Sequence, residues 1–385
     1  MSVEPEATRD SHLFAPGQKR ILSLDGGGVR GVLSLGILET VERQLCELEG
    51  KPVRLGEWFD LIGGTSTGSI IATGLALGMS VADLRALYMT IAPRIFKRSW
   101  RRIVGWQAKF DERNVAAELR SVLGDRTLDT PDLKTGLSIV LKRLDTGGSW
   151  ILTNNRGAKY WDAADGSFSG NRRLLLADLV RASTAAPGYF DPELMALTKG
   201  QQAGVFADGA LTLHNNPALA LVLLALIPAY GLQWRAGSEN LLVVSVGTGS
   251  FRTIVDARSA GRKSAVVLAM RSLASMIAQS EDLVLTMMGF LGQSVVPWLI
   301  NSEIGDLGLG PRGAEPMFRF VRYDARLEAD WLRTELGRDF NELDVLALRR
   351  MDSVSSIERL LDVGRKAGAK LVQPDHWKHF RRSPP

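Results

Sequence analysis

The sequence predicts an α/β protein, and three stretches carry that prediction. Arg20-Ile21-Leu22-Ser23-Leu24 is a short apolar run that passes through a glycine loop, Asp25-Gly26-Gly27-Gly28-Val29-Arg30-Gly31. Val32, Leu35, Ile37, Leu38, Val41 and Leu45 then recur near the helical period, so the order is strand, loop, helix. A second apolar run, Trp58 to Gly63, crosses Gly64-Thr65-Ser66-Thr67-Gly68 into the helix-like segment Ser69 to Leu77. The third stretch, Leu241-Leu242-Val243-Val244-Ser245-Val246, reads as a buried internal strand that ends at Gly247-Thr248-Gly249. With 385 residues the chain can bury a large core, as one big α/β domain or two smaller ones.

Taken in order, residues 1–18 carry acids, prolines and polar residues with no apolar core segment, and are expected to be a disordered arm without a signal peptide. Leu137–Leu144 and Trp150–Thr153 read as strands separated by an Asp145-Thr146-Gly147-Gly148 turn. Leu174–Ala182 is helix-like, with Pro187 in the loop that follows. Val205-Phe206-Ala207 leads, as the end of a strand, into Asp208-Gly209-Ala210. Pro217 suits the first turn of Ala218–Ala229, which is hydrophobic on all sides and therefore expected in the core. Ala257–Leu291 and Asn341–Lys366 read as mostly helical, and Met317–Tyr323 alternates like an edge strand. The best transmembrane candidate, Leu283–Ile300, is interrupted by glycines and Pro297 and is better read as buried or cleft-lining.

Composition narrows the function classes. Hydrophobic residues at 45% and charged residues at 23% are ordinary for a globular protein. The single cysteine, Cys46, excludes an internal disulfide, suits a reducing cytosol and is expected in the core. No cysteine–histidine cluster has metal-ligand spacing, so no metal and no cofactor is expected. A net charge of +5 favours an anionic partner, but no nucleic-acid motif accompanies it.

Two motifs bear on chemistry. The loop at Gly26, Gly28 and Gly31 matches G-x-G-x-x-G, which invites a dinucleotide-binding reading. That fingerprint needs an acid at the end of the second strand, whereas Glu42, Glu47 and Glu49 fall on the first helix or its end. The same glycines would equally let the backbone N–H groups of Gly26, Gly27 and Gly28 approach a developing oxyanion. Gly64-Thr-Ser66-Thr-Gly68, between a strand and a helix, has the context of a nucleophile elbow. Small flanking residues permit the tight turn, and the following helix directs its positive end at the hydroxyl. The plainer alternative is a glycine-rich turn that starts a helix.

Together, Asp25-Gly-Gly-Gly-Val-Arg-Gly31, Gly64-Thr-Ser-Thr-Gly68 and Asp208-Gly-Ala210 resemble, in order and spacing, the patatin-like phospholipase family. Similarity at Leu152–Asn155, Ala182–Phe190 and Asn215-Asn216-Pro217 adds to it, and the resemblance covers roughly residues 19–250. It implies a three-layer α/β/α patatin-like fold with a mainly parallel central sheet. The chain then divides into the arm at 1–18, a catalytic domain at 19–250 that the resemblance covers, and a mostly helical extension at 251–385, expected to pack on the same domain, that matches no named motif. The resemblance also implies a phospholipase A-type lipid acyl hydrolase in which Ser66 attacks the ester carbonyl and Asp208 accepts its proton. Gly26, Gly27 and Gly28 would then form the oxyanion hole, Gly64 and Gly68 the elbow, and Arg30 with Gly31 would support the loop or meet a head group.

A histidine-dependent triad through His12, His214, His376 or His379 stays open as the rival mechanism. Some bacterial relatives in the family act as anti-phage effectors that idle until a cyclic nucleotide binds; Arg258, Arg262, Lys263 and Arg271 could receive its phosphates, and a solvated basic face explains them as well. The expected partners are a phospholipid membrane surface and no nucleic acid, with a cyclic nucleotide activator and a homo-oligomer left open. The expected location is the cytoplasm with peripheral membrane attachment. For docking, Phe96, Trp100, Ile103 and Trp106 recur on one helical face, and Arg94, Lys97, Arg98, Arg101 and Arg102 surround it. The competing reading packs those rings on the core.

Overall fold

Among the described residues nine strands form one sheet, and their apolar residues alternate between two cores. The computed structural model describes residues 8–95, 112–162, 170–197, 203–252, 265–306 and 315–382. The strands are β1 (Lys19–Leu24), β2 (Leu61–Thr65), β3 (Gly136–Arg143), β4 (Ser149–Thr153), β5 (Glu193–Met195), β6 (Gly204–Asp208), β7 (Leu241–Val246), β8 (Gln293–Ser294) and β9 (Arg319–Tyr323). Hydrogen-bonded neighbours follow the path β5-β6-β3-β2-β1-β7-β9-β8, and β4 also pairs with β3. The centre, from β3 through β2, β1 and β7 to β9, is parallel throughout. The pairings of β3 with β4 and β6, and of β5 with β6, are antiparallel.

Side chains on successive strand residues leave opposite faces. Leu22, Leu24, Ile62, Leu242, Val244, Val246, Val321 and Tyr323 therefore enter one core. Ile21, Leu61, Leu241, Val243, Phe318 and Phe320 enter the other. The first core is covered by α2 (Gly31–Glu49), α3 (Leu55–Trp58), α4 (Thr67–Ala76), α5 (Val81–Ile95), α6 (Glu112–Leu123), α7 (Leu176–Ser183) and the helix Ile357–Leu371; the second by α8 (Ala218–Leu226) and the helix Ala265–Leu291. Helices on both faces of a mostly parallel sheet make the three-layer α/β/α arrangement. The helix Ile357–Leu371 crosses α2 at close range. A Cβ on Gly364 would stand 2.2 Å from the Leu33 carbonyl oxygen, and one on Gly36 would stand 2.7 Å from the Leu361 carbonyl oxygen.

Three expectations need correction. The N-terminal segment is ordered from Thr8: α1 (Arg9–Phe14) is capped by Thr8 and buries Arg9, His12 and Leu13. His12 Nδ1 lies 3.0 Å from Asp60 Oδ1, so a buried ion cluster holds a segment whose polarity alone suggested disorder. The alternating segment 317–323 is not an edge: β9 lies between β7 and β8, and its Arg322 is fully buried among acids. The region beyond residue 251 thus adds strands to the sheet as well as helices. Cys46 is only partly buried, with its sulfur 3.3 Å from the Val53 amide. Among the described residues no helix is long and apolar enough to cross a membrane.

Candidate active site

Strand β3 sets the geometry of the site. Its Val140 pairs with Thr65 of β2, and its next residue, Leu141, pairs with Asp208 of β6. Because β4 also pairs with both Val140 and Leu141, it occupies the other edge of β3, so β2 and β6 share one edge end to end. The residue after Thr65 therefore meets Asp208. Ser66 Oγ donates a hydrogen bond to Asp208 Oδ2 at 2.7 Å.

Ser66 sits at φ 54°, ψ −126°, a strained conformation for a residue with a side chain. The surroundings hold it there. The Ser66 N–H donates to Ser183 Oγ (2.9 Å), and Ser183 in turn donates to the Val140 carbonyl (2.7 Å). The Ser66 carbonyl accepts from the Ser69 N–H (2.9 Å) and hydroxyl (2.6 Å). A Cβ on Gly64 would lie 2.1 Å from the Gly68 oxygen, and one on Gly68 would lie 2.3 Å from the Leu24 oxygen. Small residues are thus required on both sides of the serine, and α4 starts directly after it.

Asp208 ends β6 and caps the short turn Gly209–Leu211, with Oδ1 accepting the Ala210 N–H at 2.8 Å. Burial pushes its carboxyl up to about 6, while the bonds from Ala210 and Ser66 pull the other way. It is therefore ionised at neutral pH and more basic than an exposed aspartate. Neither Ser66 nor Asp208 has a histidine partner among the described residues. His12 pairs with Asp60, His376 Nδ1 bonds the Tyr323 hydroxyl at 2.6 Å, and His214 offers its backbone carbonyl to the Thr65 hydroxyl at 2.6 Å.

The glycine loop leaves β1 beside the serine; a Cβ on Gly26 would stand 3.2 Å from Ser66 Cβ. The Gly26 N–H, however, is taken by the Asn215 carbonyl at 3.1 Å, so it is not free to hold an oxyanion. The Val29 N–H is likewise taken by Met351 at 2.9 Å. Between them the amides of Gly27 and Gly28 have no acceptor among the described residues. Arg30 braces this loop: Nη1 donates to the Gly249 carbonyl at 2.7 Å and the guanidinium stacks 5.3 Å from the Phe251 ring. Gly31 starts α2 against Thr67 and the Tyr88 hydroxyl, and that hydroxyl donates to the Gly28 carbonyl at 2.6 Å. The acids that a dinucleotide would need are engaged elsewhere: Glu42 accepts the Val81 N–H, Glu47 pairs with Arg43 and Glu49 accepts the Trp58 indole.

Ser66, Asp208 and the glycine loop open into a cavity of about 450 Å³. Its other walls are largely apolar, with Ile70, Ile91, Val115, Phe190, Leu211, Leu273 and Ile277 among them. A nucleophile, a base and two amides at the end of an apolar cavity can cleave an acyl ester whose chain fills it. Residues that the sequence did not single out are Ser183, Thr248 and Met351. Ser183 lay within a stretch noted for its similarity, but its role as acceptor for the Ser66 amide depends on register that no spacing reveals. Phe96, Trp100, Arg101, Arg102 and Trp106 lie outside the described residues, as do Arg258, Arg262 and Lys263. No group of residues that could hold a metal is found among the described ones.

A family model described as patatin-like phospholipase matches residues 22–222. A cGAMP-activated phospholipase of Vibrio cholerae is 33% identical over 214 residues, which is 52% of this chain and 56% of that protein. A cUMP-AMP-activated phospholipase of Escherichia coli is 30% identical, over 60% of this chain and 65% of that one. Patatin-07 of Solanum tuberosum is 29% identical, over 60% of each chain. The chain therefore spans less than two thirds of the length of these relatives.

Proposed function

Because the chain belongs to the patatin-like phospholipase family, we propose that it is a serine-dependent lipid acyl hydrolase of the phospholipase A type. The observation that carries this reading is the 2.7 Å bond from Ser66 Oγ to Asp208 Oδ2 at the end of an apolar cavity. Ser66 Oγ attacks the carbonyl carbon while its proton passes to Asp208, the two events concerted because a carboxylate is a weak base toward an alcohol. The oxyanion is met by the Gly27 and Gly28 amides, with each well-placed donor contributing about 3–4 kcal/mol. Collapse expels the lyso-lipid alkoxide, which takes the proton from Asp208. Water then gives a proton to the same carboxylate as it attacks the acyl-enzyme; the adduct collapses to the fatty acid, and the departing Ser66 oxygen takes that proton back from Asp208. Arg30 serves the loop rather than the head group, since its guanidinium is already committed to Gly249 and Phe251. The test is reaction with a fluorophosphonate followed by peptide mapping. A single adduct on Ser66, lost in Asp208→Asn, is expected; an adduct elsewhere, or none, contradicts the assignment.

A second reading is favoured by relatives that are named as cyclic-nucleotide-activated phospholipases. Here the same hydrolase idles until a cyclic dinucleotide binds and then degrades membrane lipid as an antiviral effector. An activator must favour the active state over the idle one. Turnover that rises with one member of a cyclic-dinucleotide panel, with or without a change of mass in solution, supports this; equal turnover with every member excludes it.

We assign membrane attachment to Phe96, Trp100, Arg101, Arg102 and Trp106 on the strength of their spacing and charge. Trp100→Ala with Arg101→Glu and Arg102→Glu is expected to weaken binding to anionic vesicles and to spare a soluble ester. Unchanged vesicle binding by the folded variant would return the segment to the core.

A further inference from the structure

Arg322 is fully buried on β9, beyond the segment that the family model matches. Its Nη2 lies 2.8 Å from Asp25 Oδ2, 2.8 Å from Glu281 Oε1 and 2.9 Å from Asp324 Oδ2, and its Nη1 donates to Ser245 Oγ at 2.8 Å. Nη2 has two protons. They make hydrogen bonds to Glu281 and Asp324, so Asp25 is held by charge alone. Buried ions with incomplete hydrogen bonding are costly, so their arrangement calls for a reason beyond stability.

Each acid belongs to a different part of the site. Asp25 immediately precedes the glycine loop. Asp324 Oδ1 accepts the Gly249 N–H at 2.8 Å, and the Gly249 carbonyl is the acceptor that holds Arg30. Glu281 lies on the helix Ala265–Leu291, whose Leu273 and Ile277 wall the cavity. We propose that Arg322 is a positioning residue: it fixes Asp25, and with it the Gly27 and Gly28 amides, and through Glu281 it couples that loop to the helix walling the acyl cavity. The proposal rests on the hydrolase reading above and adds to it how the oxyanion hole is held in place.

Charge in the cluster is finely balanced. The charged groups facing Glu281 are Arg322 from β9, Asp324 just after it, Asp25 from the end of β1 and Arg30 from the glycine loop. Its helix neighbour Asp282 faces Arg252 and Arg326 instead, and Tyr189 faces Arg30. Three acids thus stand against two guanidiniums. Burial raises Glu281 to about 8 and Asp25 to about 6, each against the pull of Arg322. Near neutral pH the proton resides on Glu281 and the cluster is balanced. On this proposal, ionisation of Glu281 above about pH 8 sets a third full negative charge against the two guanidiniums and slackens the hold of Arg322 on Asp25 and the loop.

The test is the pH profile of kcat and KM on a soluble ester, 4-nitrophenyl butyrate, for the wild type, Glu281→Gln and Arg322→Lys. Wild-type kcat is expected to fall above about pH 8, and the profile of the isosteric, uncharged Glu281→Gln to stay level there. Arg322→Lys keeps the charge but not the geometry, and is expected to lower kcat by about 10–100-fold with KM within about threefold. Superimposable Glu281→Gln and wild-type profiles overturn the proposal, and do so alone if Arg322→Lys fails to fold. Unchanged kcat in a folded Arg322→Lys also overturns it, with the hydrolase reading intact. A wild type that neither cleaves the ester nor reacts with a fluorophosphonate overturns both.

Discussion

A carboxylate that must take a proton from an alcohol needs a raised basicity, and Asp208 obtains it from burial in a site that offers it two hydrogen-bond donors among the described residues. Removing either member of such a pair costs nearly the whole rate, because the two act as a unit. Ser66→Ala and Asp208→Asn are each expected to lower kcat/KM by about 10⁴-fold or more, and the double variant to be little worse than either. Unchanged circular dichroism and a fully active single variant would refute the pairing. The pH dependence follows in sign from the same residue. Asp208 works as the anion, so activity is expected to fall as pH drops through about 6, with the acid limb reporting this carboxyl. The same shift opposes stability: a carboxyl raised in the fold favours folding at low pH, and that contribution is lost as pH rises through about 6. Of the candidate pair, Ser66 was legible in the sequence from its small neighbours, and Asp208 only through the resemblance that the three motifs carry together. The Gly26 amide was not. Its capture by Asn215 is a contact across 189 residues that no local pattern encodes.

At the scale of elements, what the sequence showed was what periodicity encodes. The strand–glycine loop–helix units, the β3–β4 hairpin and the last internal strand at 241–246 occur where the apolar runs place them. The departures have physical causes. Met317–Tyr323 alternates basic with apolar residues like an exposed edge, yet Arg322 is fully buried because Asp25 and Glu281 from other elements, with Asp324 just after its own strand, receive it. The polar segment 8–18 is ordered for a similar reason, through Asp60. The glycine loop illustrates a positional requirement: Gly28 has φ 61°, and a Cβ there would stand 2.4 Å from the Met351 carbonyl oxygen. A side chain in the left-handed region costs about 1–2 kcal/mol before the clash is counted. Gly28→Ala is therefore expected to displace the amide beside it and lower kcat by about 10²–10³-fold, the loss seen when one oxyanion donor is removed. Kinetics at saturating ester would show it. A variant with normal kcat and only a raised KM would place the oxyanion elsewhere.

For the molecule as a whole, the site stands at the C-terminal ends of the parallel strands, and the opposite end of the sheet is closed by α1 and the segment at Arg382, which meet around Asp60. His12 from α1, Arg20 from β1 and Arg382 near the C-terminus converge on that carboxylate at 3.0, 3.3 and 2.5 Å. Burial works against its charge, but His12, Arg382 and Arg20 outweigh it and hold the carboxyl below the usual range. Asp60→Asn strands buried cations and is expected to cost about 3–5 kcal/mol in chemical denaturation at neutral pH. A carboxyl lowered in the fold contributes stability above its unfolded value that is lost as pH falls through the folded one, so the difference between variant and wild type should shrink toward acid. A difference that stays constant with pH would mean packing rather than charge. The central claim, that the serine and aspartate at the other end cleave lipid esters, is tested most directly by lipid mass spectrometry. Phospholipid vesicles are incubated with wild type or Ser66→Ala, with and without a panel of cyclic dinucleotides. Equal amounts of free fatty acid and lyso-lipid are expected from the wild type in at least one condition and none from Ser66→Ala. Release that is the same for both proteins, or absent from the wild type in every condition, would contradict it.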